Sequence, residues 1–368
     1  MAGFPFMRQA EAFLSSLPFI LLLVVFILPC PMSAAAKPRP AIAFVHLLLP
    51  PGGEPHASPA GWIGSLDRAR DTLESLRIPT IVSSASPGNA EDLNELSEMD
   101  PEVLITTSPL LYAAACDVAK RSPNTVFFAC TDETVHDNMS GFQARTYEAH
   151  YLAGLIAGAL SEDGVIGYLA NDPYQSKASR LRNANAFTLG AQKSKAAIRV
   201  LYAPGNDPDE ELKTLIAAGA DIVDLERALP SLVERLREHS VRYVGTAGRT
   251  VDPLCLAAPE WEWSNAFGDL LTQVRFGIWR PRNVSYGIKE GVVGLSPFGP
   301  AVPETVRVRV REAKEAIRNG ASPFEGPVRD VSGSLRIAEG SVPDDATLRG
   351  MDWRVQGLEP LPLTPDGL

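Results

Sequence analysis

From Ala41 onward, short apolar runs alternate with stretches of helical periodicity, each pair separated by a few turn-forming residues. Ala41 to Leu49, Thr80 to Ser83, Pro101 to Thr107 and Thr125 to Thr131 read as strands. Between them, Gly61 to Leu76, a stretch capped by Asn89 and running through Met99, and Leu110 to Lys120 read as helices. A short segment, Met139 to Ala144, leads to a helix, and the pattern then starts again. Val165 to Ala170, Ile198 to Tyr202, Asp221 to Leu225 and Arg242 to Thr246 are the second set of strands; Ser179 to Lys193, Pro208 to Ala217 and Leu232 to His239 are its helices. Alternation with short connections predicts a parallel sheet with helices on both faces. Its repetition predicts two such sheets and a cleft at the carboxyl ends of their strands.

The two halves meet at RTYEAHYLAGLIAGALSEDGVIGYLA, Arg145 to Ala170. Ala149, Ala153 and Ala157 fall on one helical row and Gly154 and Gly158 on the next, which suits a backbone lying close against a sheet. The GxxxG spacing also occurs in membrane dimerisation helices. Glu148 and His150 interrupt this run, which falls short of the roughly 20 apolar residues that a span needs. Beyond Thr246 the chain continues as a crossing segment (Glu260 to Trp263), a helix (Ser264 to Trp279), a strand-rich return (Ser285 to Ser296) and a charged amphipathic helix (Pro303 to Asn319). It therefore passes between the lobes more than once. The tail from Ser322 is rich in Gly, Pro and Asp, and little order is expected from Leu358 onward.

The 368 residues, 45% of them hydrophobic, supply a core for each of two lobes. A net charge of −10 without clustered Lys and Arg argues against a nucleic-acid surface. At the N-terminus, Arg8 precedes the apolar run Phe13 to Leu28, and Ser33 to Ala36 supplies small residues for a signal peptidase. Residues 1–36 are thus expected to be a signal peptide that exports the protein to the periplasm. An uncleaved anchor, or lipidation at Cys30, is the alternative, and membrane contact is expected only through such an N-terminus or through a membrane partner. After cleavage Cys116, Cys130 and Cys255 remain, so one disulfide at most can form; buried free thiols are the expected state.

Catalytic and metal-site patterns are weak. The five histidines lack metal-ligand spacing, no Cys-x-x-Cys occurs, and there is no Gly-x-Ser-x-Gly elbow or phosphate loop. A non-enzyme without cofactor or metal is expected. Binding candidates gather instead at the predicted strand ends. Trp62 opens the first helix, where it can stack on a flat ring or pack on its own lobe. Ser108 ends the third strand and Asp132 the fourth, where a carboxylate can take ligand N–H groups or cap a turn. In the second half Glu226 follows one strand, and Thr246 to Arg249 follow the next. Trp261 and Trp263 alternate so that both face one side, as a stacking surface or as a packed hinge. Lys289 lies among glycines that permit close backbone approach, or is simply solvated.

The order Arg145-x-Tyr147-Glu148-Ala149-x-Tyr151-Leu152-Ala153-Gly154 followed by a Gly-Tyr-containing strand resembles the signature of the basic membrane protein family. So do Asn185 to Ala191, Gly219-Ala220-Asp221, Tyr286 to Phe298, Pro323 to Pro327 and Met351-Asp352-Trp353. Members of that family are substrate-binding proteins of ABC transporters, the purine nucleoside receptors among them. The resemblance implies an α/β protein of two Rossmann-like lobes joined by a multi-crossing hinge, the type I periplasmic binding protein fold. On that scheme the first lobe comprises 37–144 plus about 262–284, the second 145–261 plus about 285–321, and 322–368 is a partly disordered extension. It implies a purine base or nucleoside as ligand, an ABC permease as partner, Trp62 as the ring that stacks on the purine, Asp132 as a strand-end acceptor, and Lys289 as a lysine facing the ligand. The sequence departs from the family pattern at Pro59, at Ala228 and at Arg249, each where an Asp or acidic residue is usual, and in a longer loop from Asn171 to Lys177. Arg249 reverses a local charge, so an anionic ligand is the alternative, as is a sensing role using the same fold; a nucleoside hydrolase is the remote one.

Overall fold

The computed structural model describes residues 40–48, 61–131, 133, 136–172, 175–245 and 252–362. The predicted signal peptide and its alternatives, together with Pro59, Asp132, Thr246 and Arg249, lie outside them. From Arg39 to Leu368 the chain forms one compact unit built on two sheets.

The first lobe opens with β1 (Ile42–Leu47), α1 (Trp62–Ser75), β2 (Thr80–Ala85), α2 (Glu91–Ser97), β3 (Val103–Thr106), α3 (Tyr112–Ala119), β4 (Val126–Cys130) and β5 (Met139–Ala144). After α4 (Thr146–Leu160), the second lobe follows as β6 (Val165–Leu169), α5 (Lys177–Ser194), β7 (Arg199–Ala203), α6 (Pro208–Ala217), β8 (Ile222–Leu225), α7 (Pro230–Glu238), β9 (Arg242–Gly245) and β10 (Cys255–Ala257). Local chemistry marks several of these boundaries. Asp207 accepts from Glu210 N–H at 3.2 Å, with Pro208 in the first turn and Asp209, Glu210 and Glu211 at the positive end of the α6 dipole.

Within each lobe the strand order is the same: β2-β1-β3-β4-β5 in the first and β7-β6-β8-β9-β10 in the second, all parallel. In this order the connections reverse direction between the first and third strands of each lobe, β1/β3 and β6/β8. Ligands of open α/β sheets bind in the crevice at the carboxyl end of that junction.

The remainder of the chain ties the lobes together. β11 (Pro259–Trp261) is followed by α8 (Ser264–Arg275), which packs on α1 of the first lobe, and by β12 (Val284–Tyr286), which joins the first sheet beside β5. β13 (Val293–Leu295) pairs antiparallel with β11, and α9 (Glu304–Arg318) packs on α4. With the step from β5 to α4, the chain crosses between lobes at three places. The predicted hinge is therefore present.

Two expectations are corrected. The glycine row of α4 does not lie against a sheet; it meets α5. A Cβ on Gly154 would lie 2.1 Å from Phe187 O, one on Gly158 2.2 Å from Ala191 O, and one on Gly190 of α5 2.1 Å from Tyr151 O. The two helices thus touch backbone to backbone, and Ala149, Ala153 and Ala157 are fully buried beside the contact. The tail is the second correction. After β14 (Val328–Arg329), β15 (Leu335–Ile337) and α10 (Asp345–Arg349), Leu358 to Pro360 forms β16, a sixth strand parallel to β7. Its order comes from partners remote in sequence: Leu358 is fully buried, Glu359 pairs with Arg199, and Asn185 of α5 bonds to Trp353 O and Val355 N–H.

The α4–α5 contact predicts that Gly154→Ala lowers stability although Ala is the better helix former by about 1 kcal/mol. Forcing two backbones apart costs roughly 1–3 kcal/mol or more. A lower urea midpoint is expected for this variant and for Gly158→Ala; an unchanged midpoint would mean that the helices are not in backbone contact.

Candidate ligand-binding site

At the β1/β3 junction the first lobe presents a hydrogen-bonded group. The ring nitrogens of His46 lie 3.2 Å from Thr107 Oγ1 and 3.2 Å from Asp67 Oδ1, and Thr107 Oγ1 donates to Val45 O at 3.1 Å. Trp62 donates its indole N–H to Thr107 O at 2.8 Å. Its ring runs parallel to Phe142 with centroids 6.4 Å apart, and meets Trp261 at 5.8 Å and Trp263 at 5.3 Å edge-on. One hydrogen bond and three aromatic neighbours hold the ring in a single orientation, while Trp62 stays only half-buried. Own-lobe packing and an available ring surface therefore coexist in this residue. Ser108, fully buried, accepts from Leu110 N–H at 3.3 Å and caps the turn Pro109–Leu111.

Trp263 lies behind Trp62, fully buried, stacked on Phe267 at 5.5 Å and edge-on to Tyr286 at 5.8 Å. Its indole N–H has no hydrogen-bond partner among the described residues. Of the predicted site residues, then, the structure brings Trp62 and Trp263 into contact, with Ser108 one residue beyond the peptide that anchors Trp62. Lys289 is exposed on the turn after β12. Asp132, Thr246 and Arg249 are outside the described residues.

At the β6/β8 junction the second lobe presents a buried polar group. Asn171 Nδ2 donates to Arg227 O at 2.8 Å and Asn171 Oδ1 accepts from Arg227 N–H at 2.9 Å, joining the two strand ends. Glu226 turns inward, 6% exposed, accepting from Tyr168 OH at 2.9 Å and from Asp172 N–H and Asn183 Nδ2 at 3.4 Å. Beneath it, His150 of α4 donates Nδ1–H to Asp224 Oδ2 at 3.0 Å, both fully out of solvent, while Asp224 Oδ1 has no hydrogen-bond partner among the described residues. Burial alone would lower the His150 pKa, but the charge and hydrogen bond of Asp224, with Glu226 and Asp172, together offset it and the value is raised. Burial pushes the Glu226 carboxyl up to about 7, helped by Asp172 and Asp224 and opposed by His150 and the Tyr168 hydroxyl. The dry surroundings and the two carboxyls beside it thus favour the protonated form of Glu226.

Between these groups lies the hinge, clamped on the first turn of α4. Arg145 N–H donates to Tyr286 O at 2.7 Å, and its guanidinium grips Asp345 at 2.9–3.2 Å and Glu290 at 3.2 Å. Trp261 Nε1 donates to Thr146 Oγ1 at 3.2 Å. Glu148 accepts from Ile288 N–H at 2.7 Å, and a Cβ on Gly287 would lie 2.5 Å from that same carboxylate, so a side chain there would have to displace it from Ile288. Burial raises the Glu148 pKa to about 7, against the Ile288 N–H and Arg145.

Sequence reasoning placed Thr107 with Ser108 at the end of the third strand but did not select His46, Asp67, Asn171 or Asp224. The junction rule could have found them, since each lies at or beside a carboxyl end of β1, β3, β6 or β8, or opens onto one from α1. A shallow concavity of about 370 Å³ lined by Asn94, Ser97, Arg121, Asn124 and Thr125 sits at the opposite end of the first sheet, where no strand presents its carboxyl end. It does not coincide with either junction.

Residues 66–217 match the sequence model of the Bmp family, described as PnrA-like ABC transporter substrate-binding proteins. Over 344 residues the chain is 28% identical to a purine-binding protein of Brucella abortus (strain 2308), with 89% of this chain and 95% of that protein covered. It is also 28% identical over 307 residues to a Haloferax volcanii protein whose name proposes it as an ABC transporter glucose-binding protein, covering 77% and 78%. Among solved structures, an ABC transporter system solute-binding protein from Conexibacter woesei matches with a TM-score of 0.60 at 17% identity, covering 76% of this chain and 97% of that one. A likeness at that level bears on the fold: two lobes with a crossing hinge.

The raised carboxyls fix the sign of a pH effect. Glu148 and Glu226 hold protons in the fold up to about pH 7, whereas in the unfolded chain they lose them near 4.5. Their contribution is complete below pH 4.5 and is lost as pH rises through 7, about 3 kcal/mol per group. His150, also raised, contributes below its unfolded value of 6.5 and loses that contribution as pH rises through its folded value. The melting temperature is expected to fall between pH 5 and 8, and less steeply in Glu226→Gln; a profile that rises over this range would contradict the buried cluster.

Proposed function

We propose that this chain, whose residues 66–217 match the Bmp family of PnrA-like ABC transporter substrate-binding proteins, is an exported receptor that captures a purine base or nucleoside between its lobes and delivers it to an ABC permease. Trp62 carries the reading. It is a half-buried ring at the β1/β3 junction, held by Thr107 and its aromatic neighbours before any ligand arrives, so stacking a planar base on it orders little else. Asp132 would accept from ring N–H or sugar hydroxyl groups, Thr246 and Arg249 would add polar contacts, and Lys289 would supply charge from the hinge turn. In this scheme Ser108, Glu226 and Trp263 shape the site rather than touch the ligand, since Ser108 and Glu226 have internal partners and Trp263 is buried behind Trp62.

The mechanism is hinge closure. A ligand bridging the junctions favours the closed state by its differential affinity for it, and the permease reads that state. No step of bond making is assigned, and the relatives are named for binding. A sugar is the second reading, favoured by the name of the Haloferax relative; an aromatic ring beside polar strand ends serves a sugar face as well as a base.

Thermal-shift measurements on the protein from Lys37 onward, with adenine, guanine, their nucleosides, glucose and small carboxylates, test the reading. At about 100 times its dissociation constant a ligand stabilises the fold by roughly 2.7 kcal/mol. A purine response lost in Trp62→Ala is the expected result. A response to glucose alone, or to an anion and abolished by Arg249→Ala, would replace purine as the ligand.

A further inference from the structure

The segment Arg275-Phe-Gly-Ile-Trp-Arg-Pro-Arg282 closes α8 with a rigid turn. Gly277 adopts a left-handed conformation at φ +66°, its N–H donates to Val274 O at 3.0 Å, and Ile278 N–H donates to Gln273 O at 3.0 Å. This pair of bonds is the helix-ending motif in which the residue after the glycine ordinarily folds back onto the helix. Here the apolar side chains point outward instead: Phe276 is 76% and Ile278 63% exposed. Leu76, at the end of the neighbouring helix α1, is 67% exposed. These are among the most exposed large apolar residues described, and fixed backbone geometry rather than a loose loop displays them.

The turn itself carries arginines on an otherwise acidic chain. Arg77, Arg280 and Arg282 are exposed. Arg280 Nη1 donates to Gly277 O and Trp279 O, bracing the turn, and Arg275 pairs with Glu102. The chain also enters the first lobe here. Ala41 N–H donates to Pro79 O at 2.8 Å, just beyond Leu76 and Arg77, and Val103 N–H donates to Ala41 O at 3.0 Å, next to the Glu102 that holds Arg275. In the sequence the apolar run Phe13 to Leu28 ends eleven residues before Pro40. A connector of that length reaches at most about 40 Å.

We propose that the turn from Arg275 to Arg282, with Leu76 and Arg77, is a contact surface for an anionic lipid bilayer. Phe276, Ile278 and Leu76 enter the headgroup layer and the arginines meet lipid phosphates, as amphipathic surface elements do. The sheet then stands with the amino ends of its strands toward the bilayer and their carboxyl ends away from it. Membrane contact is thus not confined to the N-terminal segment or to a transporter, and the inference does not depend on which ligand the protein binds.

The test uses the full chain reconstituted in phosphatidylcholine vesicles with and without phosphatidylglycerol, with Phe276 replaced by a photoreactive phenylalanine analogue. The same analogue in place of Leu335, which is 50% exposed in β15, is the control. The expected result is lipid adducts at position 276, increased by phosphatidylglycerol and well above those at position 335. Removing Arg282 or Arg280 (Arg282→Ala, Arg280→Ala) should lower the yield about fivefold per arginine in anionic vesicles, with the melting temperature checked to exclude a damaged turn. Equal labelling at the two positions, no lipid adducts at 276, adducts only to a second copy of the chain, or a yield indifferent to anionic lipid would each overturn the proposal.

Discussion

Everything in the molecule hangs on the backbone contact between α4 and α5. Three glycines, two on one helix and one on the other, bring peptide planes together where any side chain would collide with a carbonyl. Such a contact is all or nothing, because packed interiors have no room to accommodate a methyl group by degrees. It fixes α4 against the second lobe so firmly that the helix can serve as the base for the hinge. The crossing strands β11 and β13 and the helix α9 all pack on α4.

From that base α4 reaches in two directions with two buried titratable groups. Glu148 caps the hinge turn at Ile288, and His150, two residues on, enters the second lobe beneath the β8 strand end. Neither is in place for solvation, and each is held by partners from another element. The helix that anchors the hinge also sets the charge balance under one half of the cleft. This arrangement explains why a helix of small residues tolerates a Glu and a His in its buried first turns: their hydrogen-bond partners are supplied by the segments that α4 organises.

The alternation of elements was legible to within a few residues, and α6 coincided with its predicted span, Pro208 to Ala217, because cap, proline and acidic first turn all agree. Three crossings could be read because apolar runs and helical periods resumed after the second α/β unit. What could not be read was partnership. Periodicity shows that one face of α4 is small, but not whether a sheet or a helix lies against it. The strand Leu358–Pro360 was invisible for the same reason: in a Pro-rich tail nothing local distinguishes an ordered edge strand, and its order comes from β7, Arg199 and Asn185. Glu226 and Trp263 posed a related difficulty. A residue just past a strand, or on an alternating crossing, can face the cleft or the interior, and the choice depends on Tyr168 and Asn183 for Glu226 and on Trp62 and Phe142 for Trp263, which are distant in sequence.

The two junctions differ in a way that bears on how closure proceeds. At β1/β3 the polar groups of His46, Thr107 and Asp67 engage one another and leave an oriented ring on view. At β6/β8 Asn171 and Glu226 are used to tie strand ends and the following loop together, so those side chains have little left to offer a ligand. A planar ligand of the proposed kind would therefore meet a ring already held in place on the first lobe. On the proposed closure, contacts from the second lobe would then have to come from groups other than the Asn171 and Glu226 side chains. Under the proposed mechanism affinity would divide unevenly: stacking on the first lobe would be the same in open and closed states, and only what the second lobe adds could shift the balance toward closure.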